Sequence, residues 1–128
     1  MTFKFSKHYT LSEARALLPQ IREWLAQIEI FQQRLAELDI RVRSLASTGQ
    51  DVGGDTVNNT VKLRADLHNV AQEFTSRGIQ IKDLKRGLVD FPALRDGKEI
   101  FLCWEKGENE IEFWHEVDSG YSGRERLE

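Results

Sequence analysis

The segment Leu88-Val-Asp-Phe-Pro-Ala-Leu-Arg-Asp-Gly-Lys-Glu-Ile-Phe-Leu-Cys-Trp-Glu105 decides the fold, because its Asp96-Gly97 pair predicts a tight β-hairpin. A two-residue type I′ turn needs positive φ at both central residues, which aspartate and glycine tolerate well. Such a turn also fixes the register, so Asp90 faces Cys103 across the hairpin. The hairpin therefore has one apolar face and one face that carries a carboxylate beside a thiol.

A third strand is predicted over residues 110–117, after a turn of two or four residues. Either even-numbered loop places Glu112 opposite Cys103, whereas an odd loop would shift the strand by one residue and turn every side chain over. With the even loop, Asp90, Cys103 and Glu112 form one row. His115 then points to the apolar face.

The N-terminal half of the chain has a helical period. Apolar residues recur at alternating steps of three and four, which is a heptad stripe typical of coiled coils. Thr10 and Glu13 form a capping box at its start. A long helix is predicted over 10–47 and a second helix over 55–77, joined by a glycine-rich loop.

These elements predict an α+β fold, in which a long antiparallel helical hairpin is followed by a small antiparallel β-meander packed on it. The sheet is expected over 79–117, and a charged, glycine-rich tail over 118–128. A chain of 128 residues suits one compact unit, so residues 1–128 are predicted to form a single domain.

The composition excludes several classes of protein. The formal net charge is -3 and the sequence pI is near 5.7, whereas general nucleic-acid binders carry a basic face. No apolar stretch reaches the length of a membrane span. Cys103 is the one cysteine and cannot form an internal disulfide, which favours a reducing cytoplasm.

The unequal lengths of the predicted helices indicate self-association. At 1.5 Å per residue they would be roughly 57 Å and 35 Å long, so the first overhangs the second and its stripe must be covered by the sheet or by another subunit. Phe101 and Trp114 lie on the predicted outer face, and monomers rarely expose two such rings. Either another subunit or the N-terminal segment is expected to cover them. The surface predicted for a two-fold dimer consists of Leu18, Ile21, Leu25, Phe101 and Trp114.

The row of Asp90, Cys103 and Glu112 is a candidate metal site, because two carboxylates and a thiolate form a mixed ligand set tolerable for zinc or iron. The alternative is a polar row on a solvated face with a small buried cysteine. His115 is a further candidate, as a base or metal ligand, and the alternative is that it is a structural histidine, as a lone histidine on an apolar face more often is.

Loop residues beside the sheet offer a second candidate site. Arg86 and Arg124 lie in glycine-flanked loops, where an arginine can clamp a carboxylate or phosphate. They can as well pin their loops through neighbouring acids such as Asp83. No phosphate loop, Cys-x-x-Cys or His-Glu-x-x-His motif occurs in the chain.

Five segments give the chain a family resemblance: Tyr9-Thr-Leu-Ser-Glu-Ala14, Arg86-Gly-Leu-Val-Asp-Phe-Pro92, Leu102-Cys-Trp104, Phe113-Trp-His-Glu116 and Gly120-Tyr-Ser-Gly-Arg124. Together they resemble domain-of-unknown-function family 2203 over nearly the whole chain. The resemblance implies a bacterial, cytoplasmic protein with no assigned activity or cofactor. By this similarity the signature positions are Asp83, Arg86, Asp90, Cys103, Trp104, His115 and Arg124.

On these observations we favour a non-enzymatic, self-associating interaction module. The alternative is a small metal- or anion-dependent enzyme. Its site would be built either from Asp90, Cys103 and Glu112 or from His115 with the loop residues Asp83, Arg86 and Arg124. The sequence names no cofactor for either function.

Overall fold

The computed structural model describes residues 2–50 and 53–127, and it confirms the α+β prediction. Two helices precede a five-stranded antiparallel sheet whose strands follow in chain order. The elements are α1 (Leu11–Ser47), α2 (Asp55–Thr75), β1 (Gln80–Asp83), β2 (Leu88–Arg95), β3 (Lys98–Glu105), β4 (Phe113–Glu116), a 3-10 turn (Tyr121–Gly123) and β5 (Glu125–Arg126). Within the described ranges, neither helix combines the length and the apolar character that a membrane crossing requires.

The chain divides into two compact units. One comprises the residues up to Glu23 together with those from Phe74 onward, and the other is Trp24–Glu73. The first unit contains the start of α1 and the whole sheet, and the second contains the rest of α1 and nearly all of α2. That residues 1–128 form a single domain stays a prediction.

The hairpin of β2 and β3 has the predicted register. Asp90 pairs with Cys103, and Arg95 pairs with Lys98 on either side of the turn. Asp96 and Gly97 have φ of 53° and 79°, the left-handed values that the two-residue turn requires. Local turn chemistry is therefore sufficient to set this half of the sheet.

The predicted register between β3 and β4 is wrong by one residue. Cys103 pairs with Phe113 rather than Glu112, and Phe101 pairs with His115. The cause lies in the connection: the Trp104 indole N–H donates to the Glu108 carbonyl at 3.0 Å, and Glu108 folds back to accept the Glu105 amide at 2.9 Å. The resulting odd connection moves His115 to the outer face, beside Asp90 and Cys103.

The face of the sheet toward α1 is the apolar core of the first unit. The Tyr9 ring packs edge-on against Phe91 at 5.6 Å, and its amide donates to the Pro92 carbonyl. Arg22 of α1 lies over the Trp104 ring at 5.5 Å. The other buried residues of this core include Ala14, Leu18, Ile21, Val89, Ala93, Ile100, Leu102 and Ile111.

The surface predicted for self-association is mostly buried within the chain itself. Leu18, Ile21, Leu25 and Phe101 are at most 6% exposed. Phe5 packs on Phe101 at 5.2 Å, so the N-terminal segment covers this ring. The shifted register turns Trp114 to the opposite face, where it pairs with Leu102 and has Arg95 over its ring at 4.6 Å. These five residues therefore do not form one exposed surface.

The tail that was predicted over 118–128 contains regular structure, a 3-10 turn and the strand β5. β5 pairs with β4, placing Arg126 opposite Phe113. The 3-10 turn ends against Ser119: a Cβ added to Gly123 would stand 2.6 Å from the Ser119 Cβ, so the turn needs glycine there. This close approach places Arg124 at the edge of the outer face.

Candidate metal centre

Three buried side chains of different chemistry converge on the outer face of the sheet. A carboxylate oxygen of Asp90, the sulfur of Cys103 and a ring nitrogen of His115 lie within 4.8 Å of one another. The side chains come from β2, β3 and β4, and none is more than 2% exposed. Antiparallel pairing brings them together. Cys103 is opposite Asp90, and His115 is opposite Phe101, which is the next residue of β3 on the same face as Cys103.

The backbone fixes the tautomer of His115. Its Nδ1 lies 2.8 Å from the Glu116 carbonyl oxygen, which can only accept, so Nδ1 must donate. Its Nε2 lies 2.9 Å from Asp90 Oδ2. Because an ionised carboxylate and a neutral imidazole nitrogen are both acceptors, this contact requires a proton or another cation between them.

Only one oxygen of the Asp90 carboxylate has a partner in the hydrogen-bond geometry. The other, Oδ1, is buried and finds no hydrogen-bond partner among the described residues. Burial raises the pKa of Asp90, and three neighbours oppose that rise: His115, the positive charge of Lys82 and the Cys103 thiol. A buried carboxylate oxygen without a partner is costly, so this atom marks a place where a ligand would be stabilising.

Cys103 is a neutral thiol in this environment. Burial, reinforced by the charge of Asp90, raises its pKa to about 12, while Arg124 acts in the opposite direction. Such a thiol is a poor nucleophile at neutral pH. Thiolate chemistry at this position therefore needs an additional positive charge close to the sulfur.

The Arg124 guanidinium brings a positive charge to the sulfur, since its Nη1 lies 4.0 Å from Cys103 Sγ. Its Nη2 donates to Glu108 Oε2 at 2.7 Å. The guanidinium lies over the rings of Phe113 at 3.8 Å and Tyr121 at 4.4 Å. The edge of the cluster is thus a rigid ion pair between aromatic rings.

The N-terminal segment packs on the outer face of the sheet, next to the cluster. The amides of Lys4 and Phe5 donate to the Glu99 carboxylate at 2.8 and 2.9 Å, and His8 Nε2 lies 2.8 Å from the same carboxylate. Phe5 then packs on Phe101, whose ring is 5.4 Å from that of His115. We call residues 3–8 the N-terminal strap.

Of the other predicted site residues, Arg124 contacts the cluster, whereas Glu112, Asp83 and Arg86 pair with other residues. Glu112 is half exposed and faces Arg126 at 3.7 Å, because the shifted register removes it from the row. Arg86 pairs with Glu105 at 2.7 Å, and its amide donates to the Asp83 carboxylate at 3.1 Å. Asp83 and Arg86 therefore pin their own loop, which is the alternative given for them from the sequence. The Arg86 guanidinium also lies over the Tyr121 ring at 4.2 Å, and Arg124 contacts the same ring.

Sequence reasoning missed one charged neighbour of the cluster, Glu108, which pairs with Arg124. Glu108 lies in the connection after β3, close to a second acid, Glu110. Charged residues in a turn are usually solvent-exposed, so nothing in the sequence sets Glu108 apart. Only its partner Arg124, sixteen residues away in sequence, distinguishes it. Once the strand register is known, the pairing of this acid with a nearby arginine is the signal that could have been used.

The donor set fits a divalent transition-metal ion. Zinc takes cysteine sulfur at about 2.3 Å and histidine nitrogen or carboxylate oxygen at about 2.0–2.2 Å, which puts tetrahedral donors roughly 3.5 Å apart. The donors here lie within 4.8 Å of one another, and the closest pair is at 2.9 Å. Small side-chain rotations would bring the three donor atoms to the spacing of a tetrahedral site. The Glu116 carbonyl would still accept a hydrogen bond from His115 Nδ1 and so hold the ring while Nε2 binds the metal.

Comparison with known proteins identifies the family. A family model described as "Uncharacterized conserved protein (DUF2203)" matches residues 7–127, and the chain belongs to this family. No curated protein and no solved structure matches the chain.

Proposed function

We propose that this protein binds one divalent transition-metal ion, of the zinc class, through Asp90, Cys103 and His115. The observation that carries the proposal is the unpartnered Asp90 Oδ1, which is buried beside a thiol and an imidazole nitrogen. Buried polar atoms in proteins are nearly always satisfied. An ion would give this oxygen a partner and replace the proton that the contact between Asp90 and His115 requires.

Charge balance also supports a divalent ion. Ionised Asp90 and Cys103 carry two negative charges, and His115 is neutral when its Nε2 binds a metal. A divalent cation therefore makes the buried group neutral, which avoids the large cost of leaving net charge in the interior. The ion pair of Arg124 and Glu108 beside it is neutral by itself.

The burial of the ligands favours a stabilising role for the ion over catalysis. Three protein ligands leave the fourth position of a tetrahedral ion to water, as in catalytic zinc sites, but a catalytic site also needs a path by which substrate reaches that position. The three side chains are at most 2% exposed, and Phe5 of the N-terminal strap packs on Phe101, whose ring lies beside that of His115. We therefore retain the non-enzymatic function, in a reducing cytoplasm that keeps the Cys103 thiol available for the metal.

Zinc affinity measured by competition with a chromophoric chelator tests this proposal. Cys103→Ser should weaken zinc binding by more than the roughly 10- to 100-fold that loss of an outer hydrogen-bond partner costs. The matched control is Glu112→Ala, since Glu112 was the ligand predicted from sequence and lies outside the group. Equal zinc affinity of Cys103→Ser and the parent protein would refute the proposal.

We propose self-association through the second unit as an additional function. The observation that favours it is a set of exposed aliphatic residues on this unit: Ile30, Ile40, Val57 and Val61, between 46% and 67% exposed. A groove lined by Val57, Val61 and Val42 carries Asp39 and Arg64 at its edge. Opposite charges on one patch are self-complementary across a two-fold axis, so we commit to a second copy of the chain as the occupant.

Light scattering across a concentration series tests the dimer. The double variant Val57→Lys with Val61→Lys should be monomeric at concentrations where the parent protein is dimeric, because it places charge in the apolar groove. Asn58→Lys with Asn69→Lys adds the same charge at exposed polar positions of α2 and serves as the control. A monomeric parent protein at all micromolar concentrations would exclude this function.

A further inference from the structure

The Arg124 guanidinium is held on several sides beside the metal centre. It pairs with the Glu108 carboxylate at 2.7 Å, and the rings of Phe113 and Tyr121 lie at 3.8 and 4.4 Å. Its side chain is only 15% exposed. An arginine fixed in this way directs its remaining N–H groups without further loss of side-chain entropy.

One of those N–H groups points at a proposed ligand. Arg124 Nη1 stands 4.0 Å from Cys103 Sγ, at the long end of the range for a hydrogen bond to sulfur. A thiolate is a much stronger acceptor than a thiol, because charge-assisted hydrogen bonds are shorter and stronger than neutral ones. We therefore expect this contact to shorten when the sulfur is bound to a metal.

We propose that Arg124 is a positioning residue of the metal centre, donating an N–H···S hydrogen bond that orients the Cys103 thiolate and withdraws electron density from it. This inference rests on the proposed function. Partners that bond to metal ligands from outside commonly govern affinity as well as ligand orientation. Glu108 acts one step further out by holding the guanidinium.

A second arginine of the tail provides a matched control. Arg126 lies 5.2 Å from the same Phe113 ring and faces Glu112 at 3.7 Å, but its side chain is 65% exposed. Replacing it removes one positive charge from the tail, two residues away from Arg124. A general electrostatic effect of the tail would therefore follow both arginines, whereas a specific hydrogen bond would follow Arg124 alone.

The experiment is a Co²⁺ titration of the full chain, read by the thiolate-to-cobalt charge-transfer band. Arg124→Gln should lower the Co²⁺ affinity roughly 10- to 100-fold and move the band to longer wavelength, because the sulfur becomes more electron-rich. Arg124→Lys keeps the charge but loses the fork that reaches both Glu108 and the sulfur, so the band should still move. Arg126→Gln should leave affinity and wavelength unchanged.

Two results would overturn the inference, and both differ from failure of the metal site itself. Parent-like affinity and wavelength in folded Arg124→Gln would remove the role of Arg124 while leaving metal binding intact. If circular dichroism shows that Arg124→Gln does not fold, a band at the parent wavelength in Arg124→Lys would have the same consequence. A parent protein with no cobalt–thiolate band would instead refute the proposed function.

Discussion

The two faces of the sheet are both closed to solvent, but by different chemistry. On the face toward α1, Val89, Phe91 and Trp104 are fully buried hydrocarbon and ring surface. On the outer face, Asp90, Cys103 and His115 are buried to the same degree. Apolar burial stabilises by about 25 cal/mol per Å² whatever its neighbours, whereas buried polar groups stabilise only when each has a partner. The outer face is therefore where a ligand has most to contribute.

The largest effect should come from the apolar face. Trp104→Ala should cost about 4 kcal/mol of unfolding free energy, because it leaves a large cavity and removes the hydrogen bond to the Glu108 carbonyl. Urea denaturation measures this loss, and Leu94→Ala, at a residue 43% exposed, is the control. A cost of Trp104→Ala no larger than that of the control would contradict the assignment of this face as the core.

The outer face should behave differently when one member of its polar group is removed. In protein kept metal-free by a chelator, His115→Leu should cost about 3 kcal/mol, since it leaves Asp90 buried without its partner. The double variant Asp90→Leu with His115→Leu should be more stable than His115→Leu alone, because no unpaired group remains. Strictly additive costs in urea denaturation would show that the two side chains are not coupled.

A steric change in the tail should have an intermediate effect. Gly123→Ala places a methyl group 2.6 Å from the Ser119 Cβ, so we expect a loss of about 2 kcal/mol and displacement of Arg124. Adding Ser119→Gly removes the clash and should restore most of the stability. Thermal unfolding of the two variants measures the effect, and failure of the second change to rescue the first would contradict the steric explanation.

The smallest effect should be local and pH-dependent. Burial raises the pKa of Glu99, but hydrogen bonds from His8 and from the strap amides outweigh it and hold that pKa below its ordinary value of 4.5. The stabilisation is therefore present above pH 4.5 and is lost as pH falls through the lower pKa of the folded state.

Hydrogen exchange of the Lys4 and Phe5 amides measures this effect, once it is corrected for the intrinsic exchange rates. The N-terminal strap should open more readily below pH 4 than at pH 6, because these two values lie on either side of the ordinary Glu99 pKa of 4.5. Glu99→Gln should remove this pH dependence without changing global unfolding. Equal pH dependence in Glu99→Gln would mean that another group controls the strap.

The two hairpins show how far the sequence alone leads. Asp96-Gly97 permits one tight turn, so the register of β2 and β3 follows from two residues. The connection from β3 to β4 has no such constraint. Its length depends on bonds of the Trp104 indole and the Glu108 carboxylate within the connection, which no turn motif signals. It also depends on tertiary contacts, since Arg15 and Arg22 of α1 donate to carbonyls of this loop.

The composition of β4 could not correct that error. Phe113 and Trp114 are both aromatic, and each face of the sheet accommodates one of them, so alternation of apolar and polar residues does not decide the parity. Asp90 and Cys103 were therefore predictable as neighbours, whereas the exchange of Glu112 for His115 required the tertiary contacts of the loop. Apolar periodicity predicted both helices but not what covers their apolar faces.

Zinc content of the protein, purified without chelators from zinc-supplemented cells and measured by inductively coupled plasma mass spectrometry, tests the central claim most directly. We predict about one ion per chain in the parent protein and in Glu112→Ala, and almost none in Asp90→Asn with Cys103→Ser. Folded parent protein without zinc or another transition metal, or full retention of the ion in the double variant, would contradict the account.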